Sequence, residues 1–230
     1  MSCLPPPQDT TLVSLSDGKG TVIKSKDIWA TKPGLILVIR RPGWGLCREQ
    51  ASVLLKQKPV LDKIGIQITG IVSQCVDRFS LKREANPFVC FFTFQVKENI
   101  PEEIKSFRED VWSEPLFMDE KLEFYTAVGG GKKNQYSTAG FLASLANPFS
   151  KLYKNVITKG KKYKQKTNLV GEGLITGGLY VVHAGGKPEY SFLEKVIGDH
   201  VNMTEVMEAC EKVAKEAERA ATESKSKSGL

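Results

Sequence analysis

The sequence predicts one α/β domain built on a mixed central sheet with helices on both faces. Three observations carry this expectation. Leu35 to Ile39 is an unbroken aliphatic run, a helical apolar pattern follows it, and Gln67 to Val72 repeats the strand pattern. Strand, helix, strand in that order is a βαβ unit, which gives the sheet a parallel core. Short strand patterns also bracket Asp17-Gly18 near the start and Gly185-Gly186 near the end. Each pair reads as a hairpin and adds antiparallel strands.

In order along the chain, Thr11 to Ser14 and Thr21 to Lys24 form the first hairpin, and Lys26 to Trp29 a short turn. Leu35 to Ile39 is bounded by Pro33-Gly34 and Arg40-Arg41 and reads as a strand buried on both faces. Leu46 to Ile64 places Ala51, Leu54, Leu55 and Leu61 at helical spacing, with Pro59 set to kink or split it. Pro101 to Trp112 is a helix with proline in its first turn and Glu102-Glu103 complementing the dipole. Leu116 to Met118 is a short strand and Glu120 to Tyr125 starts a helical turn. Tyr136 to Tyr153 is an amphipathic stretch carrying Phe141, Leu142, Leu145, Phe149 and Leu152, interrupted by Pro148. Leu174 to Val182 and Glu189 to Glu194 form the second hairpin. Met203 to Ala221 is a helix with Asn202 as N-cap and Val206, Cys210, Val213 and Ala217 along one face. The domain is expected over 11–221, between a flexible N-terminus (1–10) and a disordered polar tail (222–230).

Composition narrows the function classes. With 230 residues, 41% hydrophobic and 26% charged, the chain is neither wholly disordered nor collagen-like. No apolar run is long enough for a membrane span, and the proline-rich start lacks a signal pattern. Both point to a soluble, cytoplasmic protein. The five cysteines, Cys3, Cys47, Cys75, Cys90 and Cys210, are odd in number and scattered, which argues against a disulfide framework. Only His183 and His200 are available, so no metal site and no cofactor is expected. The net charge of +7 is local. Lys151, Lys154, Lys159, Lys161, Lys162, Lys164 and Lys166 fall in one acid-free segment, and the rest of the chain is neutral. That segment is either a solvated loop or a patch for an anionic partner, RNA or a lipid surface, and it matches no nucleic-acid-binding motif.

The candidate site is the run from Arg40 to Ala51, which joins the central strand to the first long helix. Cys47 falls in the first turn of that helix, with Arg48 beside it and Arg40 and Arg41 nearby. A helix N-terminus and neighbouring cations favour thiolate and make it nucleophilic. The alternative for Cys47 is a small buried core side chain.

These residues carry a resemblance. Ile39-Arg40-Arg41-Pro42-Gly43 with Cys47-Arg48-Glu49 and Ala51, followed in order by Lys97-Glu98-Asn99-Ile100, Phe117-Met118-Asp119-Glu120-Lys121 and Phe124-Tyr125, resembles the AhpC/TSA-type peroxiredoxin-like 2 family of the thioredoxin-like superfamily. Asn168-Leu169, Gly171-Glu172-Gly173, Gly177 to Val182 and Gly198 to Asn202 continue the match, so it spans roughly 12–210. The resemblance implies a thioredoxin-like fold and redox work on thiols, with a peroxide or endoperoxide as substrate and an external thiol as reductant. It places Cys47 at the nucleophile's position, and from its place beside Cys47 Arg48 is expected to help hold the thiolate. One position departs from the family. Trp44 stands where the first cysteine of a Cys-x-x-Cys pair belongs, so this motif cannot close a disulfide on itself. Cys47 therefore acts as a single thiol, pairs with another cysteine such as Cys75 or Cys90, or belongs to a catalytically inactive binding module.

Residues 73–96 read as an insertion, because deleting them joins Gly70-Ile71-Val72 to Lys97-Glu98-Asn99-Ile100. The segment is either an added β-hairpin or a retained intron with splice-compatible ends. Gly129-Gly130-Gly131-Lys132-Lys133 lacks the earlier glycine of a phosphate loop and reads as a flexible loop. Asp199-His200 reads as a turn leading into the last helix.

Overall fold

The computed structural model describes residues 3–73, 100–159 and 174–228. Among them seven strands form one sheet: β1 (Thr11–Ser14), β2 (Val22–Lys24), β3 (Gly34–Ile39), β4 (Gln67–Ser73), β5 (Leu116–Asp119), β6 (Gly178–Val182) and β7 (Pro188–Leu193). Their spatial order is β2-β1-β5-β4-β3-β6-β7. β3, β4 and β5 are mutually parallel in the centre. Antiparallel strands flank them on both sides. The helices are α1 (Ser25–Ile28), α2 (Gly45–Leu55), α3 (Lys58–Lys63), α4 (Ile100–Asp110), α5 (Glu123–Val128), α6 (Thr138–Ala146), α7 (Lys151–Lys154) and α8 (Met203–Ser228), with a π-helical turn over Asn155–Lys159.

β3 is buried along its whole length, as its aliphatic run requires of a central strand. Alternation then sorts its side chains between two cores. Leu35, Leu37 and Ile39 join Ala51 and Leu54 of α2, Phe107 of α4 and Val206 of α8. Ile36 and Val38 join Phe124, Tyr125 and Val128 of α5 and the indole of Trp29. The helices therefore do cover both faces. β4 contributes a glycine at the first core because space demands it. A Cβ on Gly70 would sit 2.7 Å from Leu116 Cδ1 and 3.0 Å from the Trp112 ring.

Several boundaries differ from the sequence pattern. The helix predicted over Leu46 to Ile64 is split, with Pro59 opening α3, where a missing N–H costs least. The strand predicted from Leu174 begins at Gly178. Before it the chain presses on β3, since a Cβ at Gly177 would lie 2.1 Å from the Val38 carbonyl oxygen. Asn202 caps α8 as expected, its side-chain oxygen accepting the Thr204 N–H at 3.1 Å. The helix then passes Ala221 and continues to Ser228, correcting the disordered tail expected from 222. Residues up to that point include no proline or glycine to stop it. Apart from Ser73, the segment 73–96 with Cys75 and Cys90 lies outside the described residues, as do Lys161 to Lys166 and Gly171-Glu172-Gly173.

Candidate functional site

β3 ends at Ile39 on the edge of the sheet where the parallel strands have their carboxyl ends, the usual location for function in such sheets. Arg40 to Trp44 turn the chain into α2, with Trp44 at the N-cap. The turn is held by Trp44 N–H donating to the Arg41 carbonyl at 3.1 Å, and by the N–H groups of Cys47 and Arg48 donating to the Trp44 carbonyl at 3.0 Å each. Cys47 thus stands in the first turn of α2 and is half-buried.

Its surroundings are charged. The Arg40 guanidinium lies over the Trp44 ring at 3.9 Å, and that of Arg41 at 6.0 Å. Both arginines are buried. Such stacking shields a guanidinium from water while offsetting part of its desolvation. Behind Arg40 lies the Glu194 carboxylate, 3.8 Å from its Nε. Glu194 is itself buried and accepts N–H donors from Gly198 at 2.6 Å and Gly177 at 3.1 Å.

These groups pull the thiol in opposite directions. Burial pushes the Cys47 thiol up, the Arg40 cation pulls it down, and the Glu194 carboxylate pushes it up again. An N–H donated by the Arg41 backbone and the Arg41 charge also favour thiolate. Burial outweighs the cations, so the net effect holds the Cys47 thiol above its ordinary value and favours the neutral form.

Arg48 does not share this environment, which corrects the expected contact with the thiolate. Its Nε donates to the Pro42 carbonyl at 3.0 Å, and its guanidinium nitrogens donate to Asp110 at 3.1 Å and Ser106 at 2.8 Å. Adjacent residues on a helix point about 100° apart, so a neighbour in sequence faces elsewhere. Arg48 ties α2 to α4 and to its own entrance turn.

A third apolar cluster covers the thiol. Trp44, Leu46, Leu152 and Ile197 form its buried centre, with Cys47, Phe141 and Leu145 packed against it. The amphipathic stretch predicted over Tyr136 to Tyr153 therefore faces two ways. Phe141, Leu145 and Leu152 point inward, whereas Leu142 and Phe149 are exposed. Asp199 and His200 do more than turn the chain. Asp199 accepts the Val196 N–H and pairs with Lys151 at 2.9 Å, and His200 lies 3.8 Å from the buried Glu49 carboxylate. Among the described residues no group of three or more His, Cys, Asp or Glu side chains could hold a metal ion.

The sequence matches the AhpC/TSA antioxidant enzyme family over residues 81–196, about half of the chain. The Danio rerio protein Peroxiredoxin-like 2A is 31% identical over 201 residues, spanning 87% of this chain and 78% of that protein. The chain belongs to the AhpC/TSA antioxidant enzyme family. The Homo sapiens Peroxiredoxin-like 2A is 29% identical over 192 residues, 83% of this chain and 68% of that one. Among solved structures, Peroxiredoxin Q of Xanthomonas campestris superposes with a TM-score of 0.50 at 13% identity, covering 94% of this chain and 99% of that one. The fold is thioredoxin-like, as the resemblance implies, and this AhpC/TSA family chain stands among redox proteins. Its family match begins at residue 81 and so takes in the later part of the segment read as an insertion.

Within the AhpC/TSA family fold, Cys47 and Arg48 occupy the expected helix, and the fold brings Arg40, Arg41 and Glu194 together around the thiol. Glu194 was missed by sequence reasoning. As the residue after β7 it reads as a strand end, and only the pairing of β3 with β6 and β6 with β7 carries it to Cys47. The other described cysteines lie elsewhere. Cys3 donates to the Glu189 carbonyl at 2.9 Å, and Cys210 is buried in the α8 core, where desolvation pushes its thiol up to about 12. The arrangement can support one-thiol chemistry at Cys47, with two arginines able to stabilise an anion there.

Proposed function

We propose that this protein is a thiol-dependent reductase of peroxides or endoperoxides, with the Cys47 sulfur as its working atom. The observation carrying this reading is the position of Cys47 in the first turn of α2, beside an Arg41 backbone donor and two buried guanidinium groups. In the reaction, thiolate attacks one oxygen of the O–O bond. That bond breaks, and the leaving oxygen departs as hydroxide or alkoxide and takes a proton; a hydroperoxide leaves Cys47 as a sulfenic acid, and an endoperoxide, whose two oxygens are both bonded to carbon, leaves it as a sulfenate ester. An external thiol attacks the oxidised sulfur to give a mixed disulfide, releasing water from the sulfenic acid or the product alcohol from the sulfenate ester. A second thiol then releases Cys47 and carries the oxidising equivalents away. Arg40 and Arg41 would stabilise both the thiolate and the departing oxyanion. Burial favours the neutral thiol, so ionisation of Cys47 is the step the two arginines would have to assist.

A second reading has its own support. Trp44 stands where the resemblance would put a partner thiol, and an apolar cluster packs over Cys47, which suits a catalytically inactive thioredoxin-like binding module. Peroxide turnover with dithiothreitol as reductant distinguishes the two. Consumption that vanishes in Cys47→Ser supports the reductase. Background consumption by both proteins supports the module.

A further inference from the structure

The outward face of α6 has no partner in the described chain. Ala139, Leu142, Ala143 and Ala146 recur at helical spacing and are all exposed, and Pro148 and Phe149 follow them, also exposed. Phe149 is 84% exposed and Leu142 38%. The opposite face, with Phe141 and Leu145, is already packed against the Trp44 and Cys47 cluster. α6 carries no charged residue and is apolar all round, the character of a helix covered on both sides. Isolated exposed apolar residues mean little, but a continuous face ending in a nearly free phenylalanine marks an interaction surface.

Charge identifies what covers it. From Phe124 through Lys159 the chain carries five lysines and no acid. Lys132 and Lys133 lead into α6, and Lys151 and Lys154 follow it, both exposed. Lys151 bridges Asp199 at its base yet keeps 65% of its side chain in water. An apolar face with exposed lysines close by in the chain on both sides matches the interface of an anionic bilayer, where phenylalanine and leucine enter the acyl boundary and lysines meet headgroups. We infer that the α6 face and Phe149 dock on the surface of anionic lipid membranes. Docking leaves the inner face of α6 on the Cys47 cluster, so the thiol side of the domain is turned toward the bilayer. It does not depend on Cys47 being reactive.

The test is sedimentation of the full chain with phosphatidylcholine vesicles that do or do not contain phosphatidylserine. Binding is expected only with phosphatidylserine present, weakening as salt rises. Phe149→Glu should weaken it at least about tenfold, since it withdraws one buried aromatic ring. Lys154→Glu should weaken it about fivefold or more. Both side chains are exposed, so unchanged thermal melts are expected of both variants. Equal binding to both vesicle types, or binding untouched by Phe149→Glu, overturns the inference. So does a concentration-dependent dimer that Phe149→Glu abolishes without any vesicle binding, because a second copy would then cover the face.

Discussion

Replacing Arg48 with alanine should cost stability and leave the thiol alone. Arg48 is almost fully buried and gives three hydrogen bonds. A hydrogen bond involving a charged group is worth about 1.5–3 kcal/mol. The Asp110 side chain is 53% exposed and resolvates when its partner leaves, so that bond contributes at the low end. The Pro42 carbonyl and Ser106 hydroxyl lose a charged donor, and the aliphatic stem loses its packing. With each bond at the low end the sum is about 5 kcal/mol, or about 10–20 °C of melting temperature for a domain of this size. Thermal unfolding measures it. Site-resolved alkylation of Cys47 against pH should show the same profile in wild type and Arg48→Ala, because the cations facing the thiol are Arg40 and Arg41. A melting temperature lowered by less than about 2 °C, or a Cys47 profile moved to higher pH in a folded variant, would refute this placement of Arg48.

Two further outcomes follow from the charged groups. Glu194→Gln removes a carboxylate that holds the Cys47 thiol up, so alkylation of Cys47 at neutral pH should become several-fold faster; an unchanged or slower rate contradicts the electrostatic account. On the far edge of the sheet, burial alone would raise the Glu189 carboxyl, but Lys212 at 2.6 Å and His183 at 3.2 Å hold it below the usual carboxylate range. Its contribution to stability is therefore complete above the ordinary value of 4.5 and is lost as pH falls through the lower folded value. Chemical denaturation at a series of acidic pH values should show stability falling more steeply in wild type than in Glu189→Gln.

The central architecture was legible because β3 and β4 announce themselves. Few structures other than a strand buried on both faces suit Leu35 to Ile39, and the helical spacing between the two strands leaves a parallel crossover as the simple solution. Pro59 was legible as an interruption, and Asn202 as a cap. The site was legible only as far as the chain is local. Cys47 could be placed in the first turn of a helix because the helical pattern starts at Leu46. Whether Arg48 or Arg40 faces it depends on rotation about the helix and on stacking over Trp44, which sequence adjacency does not encode. Glu194 arrives across two antiparallel strand pairings, and burial, the influence that decides the state of the thiol, comes from α6 and α7 far along the chain. The same distance hid the outward face of α6, whose Leu142 reads as core in an amphipathic pattern and is exposed in the fold.

The most direct test of the redox role is mass spectrometry of the protein after graded peroxide exposure, with a sulfenate-trapping reagent present, on wild type and Cys47→Ser. The expected result is selective trapping at Cys47, or a mixed disulfide there once a small thiol is added, with Cys3 and Cys210 unmodified at the same dose and no trapping in Cys47→Ser. Oxidation spread equally over the cysteines, or none at Cys47 before the protein unfolds, would contradict Cys47 as the working thiol and leave the domain as a binding module.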